Sequence, residues 1–191
     1  MSPAPVEAVA IGASAGAVQA LLHILPALPA DMTVPILIVV HVPPDRGNAL
    51  VALFQDRCRL NVKEAEDKEV IANGIVYFAP SDYHLLVEEQ RSLALSSDEA
   101  VNHSRPAIDV LFETAADAFG PALTAIVMTG ANHDAADGVR AVAAGGGRVI
   151  VQDPATAHVS TMPAAALAAC PTAQVMPLDD ILAYLLGLTT R

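Results

Sequence analysis

The run Val6-Glu7-Ala8-Val9-Ala10-Ile11-Gly12-Ala13-Ser14-Ala15-Gly16, continued by Ala17-Val18-Gln19-Ala20-Leu21-Leu22-His23-Ile24-Leu25, sets the first structural unit of the chain. Val6 to Ile11 is a short apolar segment that stops at Gly12. Val18, Leu21, Leu22 and Leu25 then recur at i, i+3, i+4 and i+7. The first pattern is that of a buried strand and the second that of an amphipathic helix, with small residues between them that suit a tight turn. Strand, turn and helix in this order open an alternating β-α fold.

The pattern repeats outward from this unit. Val34 to Val40 is nearly all apolar and β-branched, as expected of a parallel strand covered on both faces, and it ends at His41 before Pro43-Pro44, which cannot extend a ladder. Asn48 to Cys58 is expected as a helix and Val62 to Ala65 as a strand. From Val70 to Ser97 the segments shorten to Ile75–Phe78, His84–Glu88 and Ser92–Leu95, parted by Asn73-Gly74, Pro80-Ser81-Asp82 and Glu89-Gln90-Arg91. That spacing predicts an antiparallel ribbon or hairpin. Helical periodicity returns with Ile108, Leu111, Phe112, Ala115, Ala116 and Phe119 on one face, and Asp109 and Glu113 are expected to point away from it. Leu123 to Met128 is a second buried strand ending near Gly130, Asp137 to Ala144 a helix broken by Gly145-Gly146-Gly147, and Val149 to Val151 a strand. Met162 to Ala169 and Leu178 to Leu186 close the chain as helices. The alternation predicts an α/β fold: a doubly wound, mostly parallel sheet flanked by helices, with an antiparallel hairpin insert.

Composition narrows the class. At 191 residues, 53% apolar and 16% charged, the chain is expected to fold as a single domain over residues 1–191 with a sizeable core. Ten Lys and Arg against 21 Asp and Glu leave a net charge of −11, which would repel a phosphate backbone, so nucleic acid is not expected as a partner. Cys58 and Cys170 fit no metal or redox spacing and are expected in the core of a protein kept reduced. No signal-like start and no apolar run of about 18 residues is present, which points to a cytoplasmic protein with no membrane insertion. Asn102-His103-Ser104 fits a glycosylation sequon, and without a secretion signal it reads as chance. The six histidines show no paired helical spacing with acids, so neither a metal nor a cofactor is expected.

In a doubly wound sheet, ligands and catalytic groups gather beyond the carboxyl ends of the strands, where strand order reverses. Three strand ends deliver polar groups there: Ser14 after the first strand, His41 after the second, and Asn132-His133-Asp134 after the later buried strand. Gly12-Ala13-Ser14-Ala15-Gly16 fits the G-x-S-x-G elbow, in which small neighbours let a serine stand exposed on a sharp strand-to-helix turn. A serine hydroxyl needs a base, for which His41 serves, and the imidazole needs an acid to fix its tautomer, for which Asp134 serves. The same turn also fits a phosphate-binding or purely structural role. A dinucleotide site is disfavoured, because the second glycine of G-x-G-x-x-G is missing and the second strand ends in His41, not an acid.

These residues resemble a known family. Ser14 in its small-residue turn, His41-Val42-Pro43, Tyr77-Phe78-Ala79-Pro80 with Tyr83-His84-Leu85, His103-Ser104-Arg105-Pro106-Ala107-Ile108-Asp109-Val110-Leu111-Phe112, Met128-Thr129-Gly130 with Asp134, Gln152-Asp153-Pro154 and Met162-Pro163 follow the order seen in the catalytic domain of CheB-type protein-glutamate methylesterases. The resemblance implies a serine hydrolase that demethylates γ-glutamyl methyl esters on the cytoplasmic helices of chemoreceptors, some members also deamidating glutamine there. It implies Ser14 as nucleophile, His41 as base and acid, Asp134 as orienting acid, the backbone N–H groups of Ala15 and Ala131 as oxyanion donors, and His103 and Arg105 on the substrate side. Regulated members carry an N-terminal receiver domain; the first strand begins so near Met1 that none is expected within this chain. Two departures stand out. The elbow reads Ser14-Ala15-Gly16-Ala17 where the family has Ser-Thr-Gly-Gly, and the acid loop reads Thr129-Gly130-Ala131-Asn132-His133-Asp134-Ala135 where it has Thr-Gly-Met-Gly-x-Asp-Gly. Asn132 tolerates positive φ, whereas Ala135 would bear a strain of about 1–2 kcal/mol if its position needs it. A shifted register with Asp137-Gly138 as the acid, and a weakened interaction module in place of an enzyme, are the alternatives.

Overall fold

The computed structural model describes residues 4–41 and 47–189; Val42, Pro43 and Pro44, used above, lie outside them. Seven parallel strands form one sheet: β1 (Ala8–Ala13), β2 (Ile36–Val40), β3 (Asn61–Glu64), β4 (Ile75–Phe78), β7 (Leu123–Val127), β8 (Arg148–Gln152) and β9 (Gln174–Met176), in the order β3-β4-β2-β1-β7-β8-β9. β5 (His84–Val87) and β6 (Leu93–Ser96) make a separate antiparallel hairpin. The helices are α1 (Ala17–Ile24), α2 (Gly47–Gln55), α3 (Ile108–Phe119), α4 (Ala136–Ala144), α5 (Thr161–Ala169) and α6 (Leu178–Gly187). This is the α/β, doubly wound sheet with a hairpin insert that the sequence predicts.

Strand residues alternate between two cores. Leu37 and Val39 pack with Tyr77, Ile108, Phe112 and the hairpin residues Leu85 and Leu93, while Ile36, Ile38 and Val40 pack with Leu21, Ile24, Phe54 and Ile181. Helices on both faces keep water off both sides, which is why β1, β2 and β7 are buried at every position and read as unbroken apolar runs. The antiparallel expectation needs one correction. Ile75–Phe78 is not part of the ribbon but the parallel strand between β3 and β2, because Val76, Tyr77 and Phe78 bury fully against both cores. β9 is an addition, three half-exposed residues too short to show a period. Cys170 lies in one core and Cys58 packs against the other, where burial pushes its thiol up to about 11.

The order β2-β1-β7 makes β1 the point where the winding reverses. Ala13 pairs with Val40 in register, so Ser14 and His41 are the next residues on neighbouring strands about 4.8 Å apart. α3 begins directly above β1. A Cβ on Gly12 would lie 2.4 Å from Ile108 Cγ2, so glycine is what lets the α3 amino end sit down on the sheet. The buried ring of His84 ties the hairpin to the same place: Nδ1 accepts the Ala107 N–H at 3.1 Å and Nε2 donates to the Glu99 carbonyl at 3.0 Å.

Gly12→Ala is therefore expected to lower unfolding free energy by about 1–3 kcal/mol, the usual range for overpacking, in urea denaturation. Unchanged stability would contradict this packing.

Candidate active site

The Ser14 turn is held from the neighbouring strand end. The Ser14 N–H donates to the Thr129 carbonyl at 2.9 Å and its own carbonyl accepts the Ala17 N–H at 2.9 Å. Gly16 turns the chain into α1 with φ of 85°, and a Cβ there would lie 2.7 Å from the His158 Cβ. The nearly buried Thr129 hydroxyl donates to the Ala15 carbonyl at 2.7 Å while accepting the Val159 N–H at 2.9 Å, which fixes the Ser14–Ala15–Gly16 backbone. Among the described residues nothing accepts the Ala15 N–H, which leaves a donor at the start of α1, where the helix dipole favours negative charge.

Among the described residues, Asp134 is the most heavily coordinated group. Asp134 is wholly buried, and its carboxylate receives five N–H donors. Oδ2 accepts from His41 Nε2 at 2.8 Å and the Ile108 N–H at 2.6 Å; Oδ1 accepts from the Asp109 N–H at 3.0 Å, the Ala135 N–H at 3.0 Å and Asn102 Nδ2 at 3.1 Å. Burial pushes this carboxyl up, but the His41 hydrogen bond and the α3 N–H groups outweigh it and hold Asp134 below the usual carboxylate range. Five donors and a helix amino end stand in for the water the charge has lost. Asp109 behaves oppositely. Burial and the charge of Asp134 raise it to about 6, against the Gly138 N–H at 2.6 Å and Asn102 Nδ2 at 2.7 Å, which favour its anion. One Asn102 amide thus bridges both carboxylates from a turn in which Asn102 and His103 have φ of 51° and 61°.

His41 meets a second side chain. Asn132 Oδ1 accepts the Asp134 N–H at 3.1 Å, and its Nδ2 lies 3.3 Å from His41 Nδ1. Ser14 and His41 line one cavity of about 480 Å³ together with Gly16, Val18, Leu50 and Leu53. Ser14 Oγ makes no hydrogen bond among the described residues.

The other expected site residues are placed as follows. Ala131 is exposed on the acid loop and His103 is exposed at the tip of its turn. Arg105 spends its guanidinium on Asp82 at 2.6 and 3.0 Å and on the carbonyls of Ser97 and Asp98, clamping the exit of the hairpin. Asp137, the alternative acid, is exposed and pairs with Arg140, while Asp134 is the carboxylate on His41. Ala135 has φ of 88°, the left-handed conformation the family's glycine would take, and Asn132 does not. Asp109, expected to point outward, is buried. The sequence reading missed Thr129, Asn102 and Asp109. Only Asp109 carried a signal, since 109, 112 and 116 share one helical stripe with Phe112 and Ala116.

Comparison with known proteins gives one family. The family model described as CheB methylesterase matches residues 9–185. A Leptospira interrogans relative named for protein-glutamate methylesterase and protein-glutamine glutaminase activity is 42% identical over 175 residues, 92% of this chain and 91% of the relative. A Caulobacter vibrioides protein-glutamate methylesterase/protein-glutamine glutaminase is 38% identical over 185 residues, 95% of this chain but 53% of the relative, so the chain spans about half its length. The crystal structure of the Thermotoga maritima CheB methylesterase catalytic domain superposes with a TM-score of 0.91 at 33% identity, covering 97% of this chain and 100% of that one.

Because Asp109 sits at about 6 when folded and near 4 when unfolded, its folded form holds the proton more tightly. Its contribution to stability is greatest on the acid side and falls as pH rises from about 4 through 6. Urea unfolding from pH 4 to 7 should therefore show the stability difference between Asp109→Asn and wild type moving in favour of the variant as pH rises. A difference that stays constant with pH would contradict it.

Proposed function

The chain belongs to the CheB methylesterase family, and from that premise we propose that it is a protein-glutamate methylesterase acting on chemoreceptor cytoplasmic helices through Ser14, His41 and Asp134. The observation that carries this reading is the 2.8 Å bond from His41 Nε2 to a buried, ionised Asp134, with His41 following Val40 as Ser14 follows its register partner Ala13.

With the ring proton on Nε2, Nδ1 is the base. Ser14 Oγ attacks the ester carbonyl as its proton passes to Nδ1, and the imidazolium so formed is stabilised by Asp134. The carbonyl oxygen takes up negative charge, to which the Ala15 N–H near the amino end of α1 donates. Collapse of this intermediate breaks the bond to methanol, which leaves with the Nδ1 proton, and a glutamyl ester on Ser14 remains. Water, deprotonated at Nδ1, then attacks that ester and frees glutamate and Ser14. Glutamine deamidation, for which the relatives are also named, follows the same course with ammonia leaving.

Methanol release from methylated receptor helices tests the proposal. Ser14→Ala should abolish it, and Asp134→Asn should cut kcat by up to ~10⁴ through the wrong tautomer. Fluorophosphonate should label the wild type at Ser14. Release that survives Ser14→Ala would overturn the mechanism, and a wild type that neither hydrolyses nor labels would favour the interaction-module reading.

A further inference from the structure

Asn132 stands between the two halves of the site. Its Oδ1 accepts the Asp134 N–H at 3.1 Å, which assigns the orientation of the amide and leaves Nδ2 toward His41 Nδ1 at 3.3 Å. An amide nitrogen only donates, so Nδ1 must be the acceptor and the ring proton must lie on Nε2, where Asp134 accepts it. Both contacts agree on one tautomer. The lone pair taken by Asn132 is, however, the one that Ser14 needs. An unprotonated imidazole nitrogen has a single in-plane lone pair, so the amide and the serine hydroxyl compete for it. Ser14 follows the register pair Ala13–Val40 just as His41 does and lines the same cavity, and yet no hydrogen bond joins them.

We infer that Asn132 is a positioning residue that latches the base: its side-chain amide holds the Nδ1 lone pair of His41 in the free protein, and Ser14 is activated when that amide gives way. The latch is built to open. At 3.3 Å the contact is at the long end of the hydrogen-bond range, and Asn132 is only partly buried, so its amide can turn to solvent. Asp134 is held by four further donors, so the tautomer survives the loss of Asn132 from Nδ1. The inference rests on the Ser14–His41 hydrolase reading.

Asn132→Ser keeps an oxygen for the Asp134 N–H but is too short to reach His41, and Asn132→Gly removes both contacts. Fluorophosphonate labelling of Ser14 should be about 3- to 10-fold faster in Asn132→Ser than in wild type, which corresponds to about 0.7–1.4 kcal/mol at 1.36 kcal/mol per decade. The ¹⁵N resonance of His41 Nδ1 should move toward that of a free lone pair in both variants, while Nε2 keeps its proton. Labelling of folded Asn132→Ser at or below the wild-type rate overturns the latch, as does an Nδ1 resonance that does not move, with or without a rate change. A wild type that is not labelled at Ser14 counts against the hydrolase reading instead, and the resonance then decides the Asn132 contact alone.

Discussion

Five N–H groups converge on one buried carboxylate, and the geometry of the site follows from that requirement. Asp134 sits where water cannot reach it, so its charge has to be met by the protein, and leaving any of its donors without the acceptor would cost about 1–3 kcal/mol. The donors come from separate parts of the chain: His41 at the end of β2, Ile108 and Asp109 at the amino end of α3, Asn102 from the turn before α3, and Ala135 from the acid loop itself. Satisfying them fixes a strand end, a helix terminus and two loops relative to one another. The position of His41 beside Ser14 is a by-product of that convergence and of the strand register.

The surroundings bear the cost of this arrangement. α3 can reach the acid loop only because Gly12 leaves room for Ile108, and the loop can turn Asp134 inward only with Ala135 in the left-handed region. Alanine loses about 1–2 kcal/mol there, while burial of its methyl returns about 0.8 kcal/mol, so the departure from glycine is affordable without moving the acid. Asp109 carries a further burden, a second buried carboxyl beside the first. The shared Asn102 amide and the Gly138 N–H at the start of α4 make it tolerable. The result is a bonded Asp134–His41 pair at the strand end next to the Ser14 turn, which Thr129 holds from the other side.

Much of this was legible in the residues. The strand-turn-helix at Val6 to Leu25, the helix at Ile108–Phe119 and the strand before Gly130 all appear, because buried strands and amphipathic helices leave strong periods. The polar residues at their carboxyl ends follow from topology alone. β4 was assigned to the hairpin because a four-residue apolar run after Asn73-Gly74 has no local mark of being parallel; its partners Ile36–Ile38 and Asn61–Glu64 are distant in sequence. Long-range hydrogen bonds were likewise invisible. Asn102 looks like part of a sequon and Arg105 like a substrate-side residue, until the fold shows one bridging two carboxylates and the other clamped by Asp82.

A crystal structure of the protein carrying a phosphonate on Ser14 tests the central geometry most directly. The phosphoryl oxygen should face the Ala15 N–H, His41 Nδ1 should face the phosphonate-bearing Ser14 Oγ, and Nε2 should remain on Asp134. A ring turned so that Nε2 meets the serine, or one detached from Asp134, would contradict the assignment of base and acid made here.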